Sequence, residues 1–131
     1  MGGLDLKRTF FIDRDKWMVE IFFDVGADDI NELADELRLL HCPRKEIIKA
    51  SRVIMKKNKA LTFSCLTCRK SVLAFSRHTS IAQLLNSVVH EAKHLQSAVC
   101  KVYEVAEDGE QAAYLIGYIV QNIYQIMKWK S

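Results

Sequence analysis

His90-Glu91-Ala92-Lys93-His94 is the stretch of this chain in which residue types and spacing together specify a chemistry. Residues four apart on a helix stand one above the other on the same face, so two imidazoles at this spacing can grip one divalent ion. Tetrahedral zinc accepts two such nitrogens and a carboxylate, and keeps its fourth position for a water whose pKa falls towards about 7. Glu91 is placed to take that water's proton and is the candidate general base. Glu110 is the candidate third ligand, because Asp108-Gly109 ends a short connection after which the chain can fold back onto the histidine helix. His78 is held in reserve should Glu110 stand too far away, while His41, beside Pro43 at a helix junction, reads as a surface residue.

Two long helices must carry this set. Ser80 with Gln83 forms a capping box that opens a helix running to about Tyr103. On a helical wheel Ile81, Leu84, Leu85, Val88, Ala92, Leu95 and Val99 form one apolar stripe, and His90 and His94 point the other way. After Asp108-Gly109 a further helix is expected to about Lys128, with Ala112, Leu115, Ile116, Ile119 and Ile123 facing the core and Glu110, Tyr114, Gly117 and Gln121 opposite. Small residues at Ala113 and Gly117 would let the two helices approach closely. Tyr114, one turn after Glu110, is the first candidate to donate a phenolic O–H to developing negative charge, with Tyr118 the second. The competing explanation is that His90 and His94 are solvated surface histidines and Glu110 an acidic residue favoured by the helix dipole. A bound zinc can also be structural, although two histidines and a glutamate with one open position form a catalytic ligand type.

Upstream, Trp17 to Val25 alternates with a period of two, placing Trp17, Val19, Ile21, Phe23 and Val25 on one face of a strand and Met18, Glu20, Phe22 and Asp24 on the other. Gly26 ends it, and Asp29 with Glu32 signals a capping box for a helix to about Leu40. Pro43 suits the first position of a second helix reaching about Lys57. Leu61 to Ser64 and Ser71 to Ser76 read as the two strands of a hairpin. Strand, helix, helix, strand, strand, helix, helix is an α+β order, expected to build a short mixed or antiparallel sheet with the metal helix across it.

At 131 residues, residues 1–131 are expected to form a single domain, large enough to bury a core without staples. A hydrophobic half, five glycines and one proline describe a globular chain rather than a disordered one. The first residues lack an apolar run with a small-residue cleavage site, and no stretch approaches the roughly 18 to 20 apolar residues of a membrane span. A cytoplasmic protein with no membrane partner is expected, and in that setting Cys42, Cys65, Cys68 and Cys100 should be reduced thiols. Cys65-Leu66-Thr67-Cys68 has the spacing of half a zinc ribbon or of a redox motif, but there is no second such pair and no helix follows it, so two thiols beside a hairpin is the favoured reading. A net charge of +3 does not by itself imply nucleic acid. Lys45, Lys49, Arg52 and Lys56 do line one face of the second helix, opposite Ile47 and Ile54, with Arg44, Lys57 and Lys59 adding to the charge. That stripe supports an alternative function as a nucleic-acid-binding module, though no aromatic or base-reading residues are interleaved with it.

VVHEAKHLQ followed by EDGEQAAYLIGYI resembles the glutamate zincins, and especially the small HExxH proteins of bacterial phages and conjugative elements, with some likeness to the ImmA/IrrE peptidases. The resemblance covers mainly His90 to Tyr118. It implies a zincin-like fold, Zn2+ on His90, His94 and Glu110, Glu91 as base, and hydrolysis of peptide bonds in a peptide or protein substrate. The chain departs from the thermolysin pattern in carrying Tyr114 where an acidic residue would follow the third ligand. The competing function is that of a non-catalytic interaction protein of a mobile element, whose metal only fastens two helices or whose basic helix, 44–57, binds nucleic acid.

Overall fold

The computed structural model of the protein describes residues 7–130, and of residues 128–130 the backbone only. Residues 1–6, on which the expectation of no leader partly rests, lie outside the described residues. Lys7–Ile12 (β1) and Trp17–Val25 (β2) pair antiparallel, with Phe10 opposite Val19 and Ile12 opposite Trp17. A 3-10 turn, Ala27–Asp29, leads into Ile30–Leu39 (α1), and Arg44–Ile54 (α2) follows. Ala60–Cys65 (β3) and Lys70–Ser76 (β4) form the expected hairpin, and Ile81–Tyr103 (α3) and Glu110–Lys130 (α4) complete the chain. β2 and β4 pair parallel at the centre of a sheet of order β1-β2-β4-β3, whose two edges are β1 and β3. The described residues therefore make an α+β protein of four helices and one four-stranded mixed sheet.

Side-chain alternation in the central strands decides the layering. Trp17, Val19, Ile21 and Phe23 of β2 join Leu73 and Phe75 of β4 in one buried cluster with Val88, Ala92, Leu95 and Val99 of α3 and Ile119 and Ile123 of α4. Phe22, Val72 and Ala74 face the other way, onto Leu33, Ala34 and Leu37 of α1 and Ile47 and Ile54 of α2. A helical layer covers each face, which is why β2 is buried almost throughout. Leu95, with no exposed surface in the first cluster, is the kind of side chain whose truncation to alanine costs about 2–5 kcal/mol.

Five local expectations need correcting. β1 was not foreseen, because the run Phe10-Phe11-Ile12 hides a period-2 pattern in which Phe10 and Ile12 are buried and Phe11 is exposed. Val25 belongs to the second cluster, since the ladder shifts register between Phe22 and Val25 and Asp24 takes a left-handed φ of 52°. Asp29 does not cap α1 with its side chain; its Oδ2 instead accepts the Gly26 N–H at 3.0 Å and closes the 3-10 turn. Pro43 precedes α2 at the cap position, and that helix stops at Ile54 rather than Lys57. Cys65 and Cys68 are joined in a disulfide, whereas Cys42 and Cys100 are free and buried, as expected of thiols. The pairing of Cys65 with Lys70 leaves so tight a connection that Cys68 folds back over Cys65, with 5.2 Å between Cα atoms. Closing so small a loop restrains the unfolded chain by only about 2 kcal/mol on the chain-entropy account.

Between sheet and α1 lies a four-membered charge cluster. Lys7 approaches Glu20 and Glu36 at 3.6 and 3.5 Å, and Lys70 approaches them at 3.5 and 3.6 Å. Burial, followed by the hydrogen bond and charge of Glu36, pushes the Glu20 carboxyl up despite both lysines. Burial works in the same sense on Glu36, but the hydrogen bond from Glu20 and the two lysines outweigh it and hold that group down. Of the two acids Glu20 is the one shifted towards its neutral form, and that shift is a stabilisation lost as pH rises through its raised pKa. Glu36 acts in the opposite sense, its contribution being lost as pH falls below the ordinary carboxylate range. Glu20→Gln, which fixes the neutral form, is expected to flatten the fall in melting temperature as pH rises above the ordinary carboxylate range. A melting series in which the variant falls as steeply as the parent would refute the assignment.

Among the described residues no helix is long and apolar enough to cross a membrane.

Candidate metal centre

α3 starts where the sequence says it should, with Ser80 Oγ accepting the Gln83 N–H at 3.1 Å, and it ends on Glu104 in a left-handed conformation. Its sheet-facing residues are Val88, Ala92, Leu95 and Val99, and burial begins only at Val88; Ile81 and Leu85, which the sequence places in the same apolar stripe, are 72% and 43% exposed because the first turns of the helix run past the sheet. On the flank towards the sheet edge, Glu91 is only 5% exposed, and Thr62 of β3 donates its hydroxyl to Glu91 Oε1 at 2.6 Å. On the opposite flank Gln96 is buried against α4 and donates Nε2 to the Ala112 carbonyl at 2.7 Å.

These two contacts fix where the histidines point. At about 100° per residue, His94 lies about 60° from Glu91 and about 160° from Gln96, so it leans towards the β3 edge and away from α4. His90 and His94 are exposed, as the sequence predicts, and their Nε2 atoms are hydrogen-bonded to each other at 3.2 Å, one ring donating and the other accepting, with the rings edge to face. Two nitrogens at about 2.0–2.1 Å from a tetrahedral zinc are separated by about 3.3–3.4 Å, so the pair already has close to the spacing of two adjacent corners. The donors suit the ion in type as well as in distance. Among the described residues no third His, Cys, Asp or Glu stands with them to complete a ligand group.

Glu110 is exposed at the first position of α4, and its carboxylate makes no ion pair or hydrogen bond with another described residue. The connection after α3 does fold the chain back, but it sets α4 on the Gln96 flank, on the far side of α3 from His94. Connection length alone could not distinguish the flanks. The acid that is tied to the histidine helix is Glu107, whose Oε1 accepts from Ser97 Oγ at 2.7 Å and Lys93 Nζ at 3.2 Å. Those two hydrogen bonds, Ser97 first, hold its carboxyl below the ordinary range. Lys93 and Ser97 bracket His94, so Glu107 sits within one turn of it along the helix. His78 lies ahead of the pair, its Nδ1 on the Ser76 carbonyl at 2.7 Å and its Nε2 on Ser87 Oγ at 2.8 Å. Because a carbonyl only accepts, Nδ1 is the donor in the first of these bonds.

Tyr114 is 75% exposed and lines a groove with Asp13 and Arg14 of the β1–β2 turn. Tyr118 donates its hydroxyl to the Phe11 carbonyl of β1 at 2.6 Å. Both tyrosines therefore stand on the β1 side of the sheet, and Thr62 and Glu91 on the β3 side. Thr62, Glu107 and the placement of His78 were not read as parts of the site. For Thr62 a signal existed, since Thr62 and Ser64 alternate with Leu61 and Phe63 and so face α3; for Glu107 nothing in its neighbours announces the bond to Ser97. The basic residues Lys45, Lys49 and Arg52 of α2 are exposed opposite buried Ile47 and Ile54.

Compared with protein-family models, with curated proteins and with solved structures, the chain finds no match in any of the three.

Proposed function

We propose that the protein is a zincin-like zinc-dependent hydrolase of peptide bonds, with His90 and His94 as ligands and Glu91 as general base. The observation that carries this reading is the 3.2 Å separation of the two Nε2 atoms on one exposed face of a helix, close to the spacing a tetrahedral ion asks of adjacent corners. Bound there, zinc would supply a water acidified to about pKa 7 and polarise a carbonyl. The chain's own groups do the rest. Glu91 is the acid adjacent in sequence to His90 and, about 60° round the helix, on the flank towards which His94 leans. The Thr62 hydroxyl fixes one of its oxygens and leaves the other to accept a proton. β3 is an edge strand, and an extended peptide laid against it would add backbone pairing beside that carboxylate, which favours a peptide over a compact small molecule as substrate.

The third ligand is assigned to Glu110 by the resemblance; Glu107, bonded to Ser97 and Lys93, is the other acid beside the histidine helix, and neither stands with the histidine pair in a ligand group among the described residues. Tyr114, on the β1 side, is given no part. Peptide-library digestion with zinc-loaded protein should give cleavage that a chelator stops and added zinc restores. Glu110→Ala and Glu107→Ala, measured side by side, should each fold, and the variant that lacks the true ligand should bind zinc at least about tenfold more weakly. Absence of chelator-sensitive cleavage across a broad library, with zinc bound, would leave a structural metal and remove the hydrolase. Retention on DNA that falls steeply with salt, abolished by Lys49→Glu with Arg52→Glu, would instead favour the basic face of α2.

A further inference from the structure

The Cys65–Cys68 disulfide closes the β3–β4 hairpin, and its two sulfurs are not equivalent. Cys65 is 7% exposed and packs in the cluster beneath α1 and α2, whereas Cys68 is exposed at the hairpin tip. The Cys65 sulfur accepts the Cys68 N–H at 3.2 Å and lies 3.5 Å from the Thr67 hydroxyl. Two donors thus converge on the buried sulfur, where a thiolate would need them once the bond is broken. The residue after Cys68, Arg69, is fixed with its guanidinium 4.9 Å from the centre of the Tyr103 ring and its Nη1 donating to the Tyr103 hydroxyl at 3.2 Å, which keeps a positive charge at the tip. Lys70 turns the other way, into the Glu20–Glu36 cluster.

We propose that Cys65–Cys68 is a thiol–disulfide exchange site that accepts electrons from a small dithiol and returns them to a small disulfide, with Cys68 attacked and Cys65 leaving. An incoming thiolate bonds to Cys68 Sγ, the Cys65–Cys68 bond breaks, and its electron pair stays on Cys65 as a thiolate held by the Cys68 N–H and the Thr67 hydroxyl. The second thiolate of the same dithiol then attacks its partner sulfur in the mixed disulfide and releases Cys68. The dithiol loses two electrons and becomes a disulfide, and its two protons end on Cys65 and Cys68. Access decides the direction of attack, since exchange proceeds through the sulfur a nucleophile can reach. The site does not rest on the metal reading, because Cys65 and Cys68 lie outside the histidine pair and its helix.

Intact-mass analysis of full-length protein tests this in two parts. Native wild-type protein treated with dithiothreitol should lose the disulfide at a rate within about tenfold of the same protein in denaturant, and oxidised glutathione should restore it. Cys65→Ser, which leaves Cys68, should take up one glutathione from oxidised glutathione at least tenfold faster than Cys68→Ser, which leaves the buried Cys65. Cys42 and Cys100, buried in both variants, provide the common background. A native disulfide reduced only after denaturation would make it a structural staple and overturn the proposal. Equal uptake by the two variants would overturn the assignment of Cys68 as the attacked sulfur, and the wild-type measurement stands even if either variant folds poorly.

Discussion

Glu91→Gln is expected to leave zinc affinity within about threefold of the parent and to lower peptide hydrolysis by about 10²- to 10⁴-fold, the usual contribution of a positioned general base. Glutamine keeps the shape of the side chain and an oxygen that can still accept from Thr62, so the bond to β3 survives and the fold with it. What it loses is the capacity to take a proton. A carboxylate that was merely structural, buried against the edge strand, would give a different result: stability would change and turnover would not. Thr62→Val separates the two further. It removes the donor that orients Glu91 without touching either histidine, and should lower turnover by about tenfold while zinc affinity stays within about threefold. Cleavage rates measured at saturating zinc, beside thermal melts of each variant, make the comparison; unchanged turnover in Glu91→Gln would remove Glu91 from the chemistry.

His94→Ala carries the other large effect. Loss of a ligand nitrogen should weaken zinc by on the order of a hundredfold or more. The melting temperature of the metal-free protein should hardly move, because His94 is exposed and an exposed substitution changes stability by about 0.5 kcal/mol or less. That dissociation of binding from stability is what a ligand predicts and a packing residue does not. Zinc affinity of the parent should also fall as the solution is acidified, since both rings must be neutral to bind.

Periodicity carried the fold a long way. The stripes through Leu33 and Leu37, through Ile47 and Ile54, and through Val88, Ala92, Leu95 and Val99 are the surfaces the helices do bury, because an amphipathic helix has few other ways to shed apolar area. β1 escaped because Phe11, an aromatic on the outward face, breaks the contrast between buried and exposed positions. The histidine pair was legible for a local reason: positions four apart on one helix meet whatever the tertiary structure. Its surroundings were not. Whether α4 settles on the Glu91 flank or the Gln96 flank depends on how both helices seat on the sheet, and the two choices move Glu110 from one side of α3 to the other. The same limit applies to Glu91, whose burial follows from the position of β3, and to Glu20, whose upward shift comes from burial first and then from Glu36, sixteen residues away on a helix. The Cys65–Cys68 bond shows the limit in another form, since the spacing was visible and only the tight hairpin brings the sulfurs together.

Equilibrium dialysis against zinc, with elemental analysis of the wild-type protein and of the double variant His90→Ala with His94→Ala, probes the two imidazoles directly. Close to one zinc per chain in the parent and none above background in the variant is the expected result. Zinc bound equally by both proteins, or by neither, would contradict the assignment of His90 and His94 as its ligands.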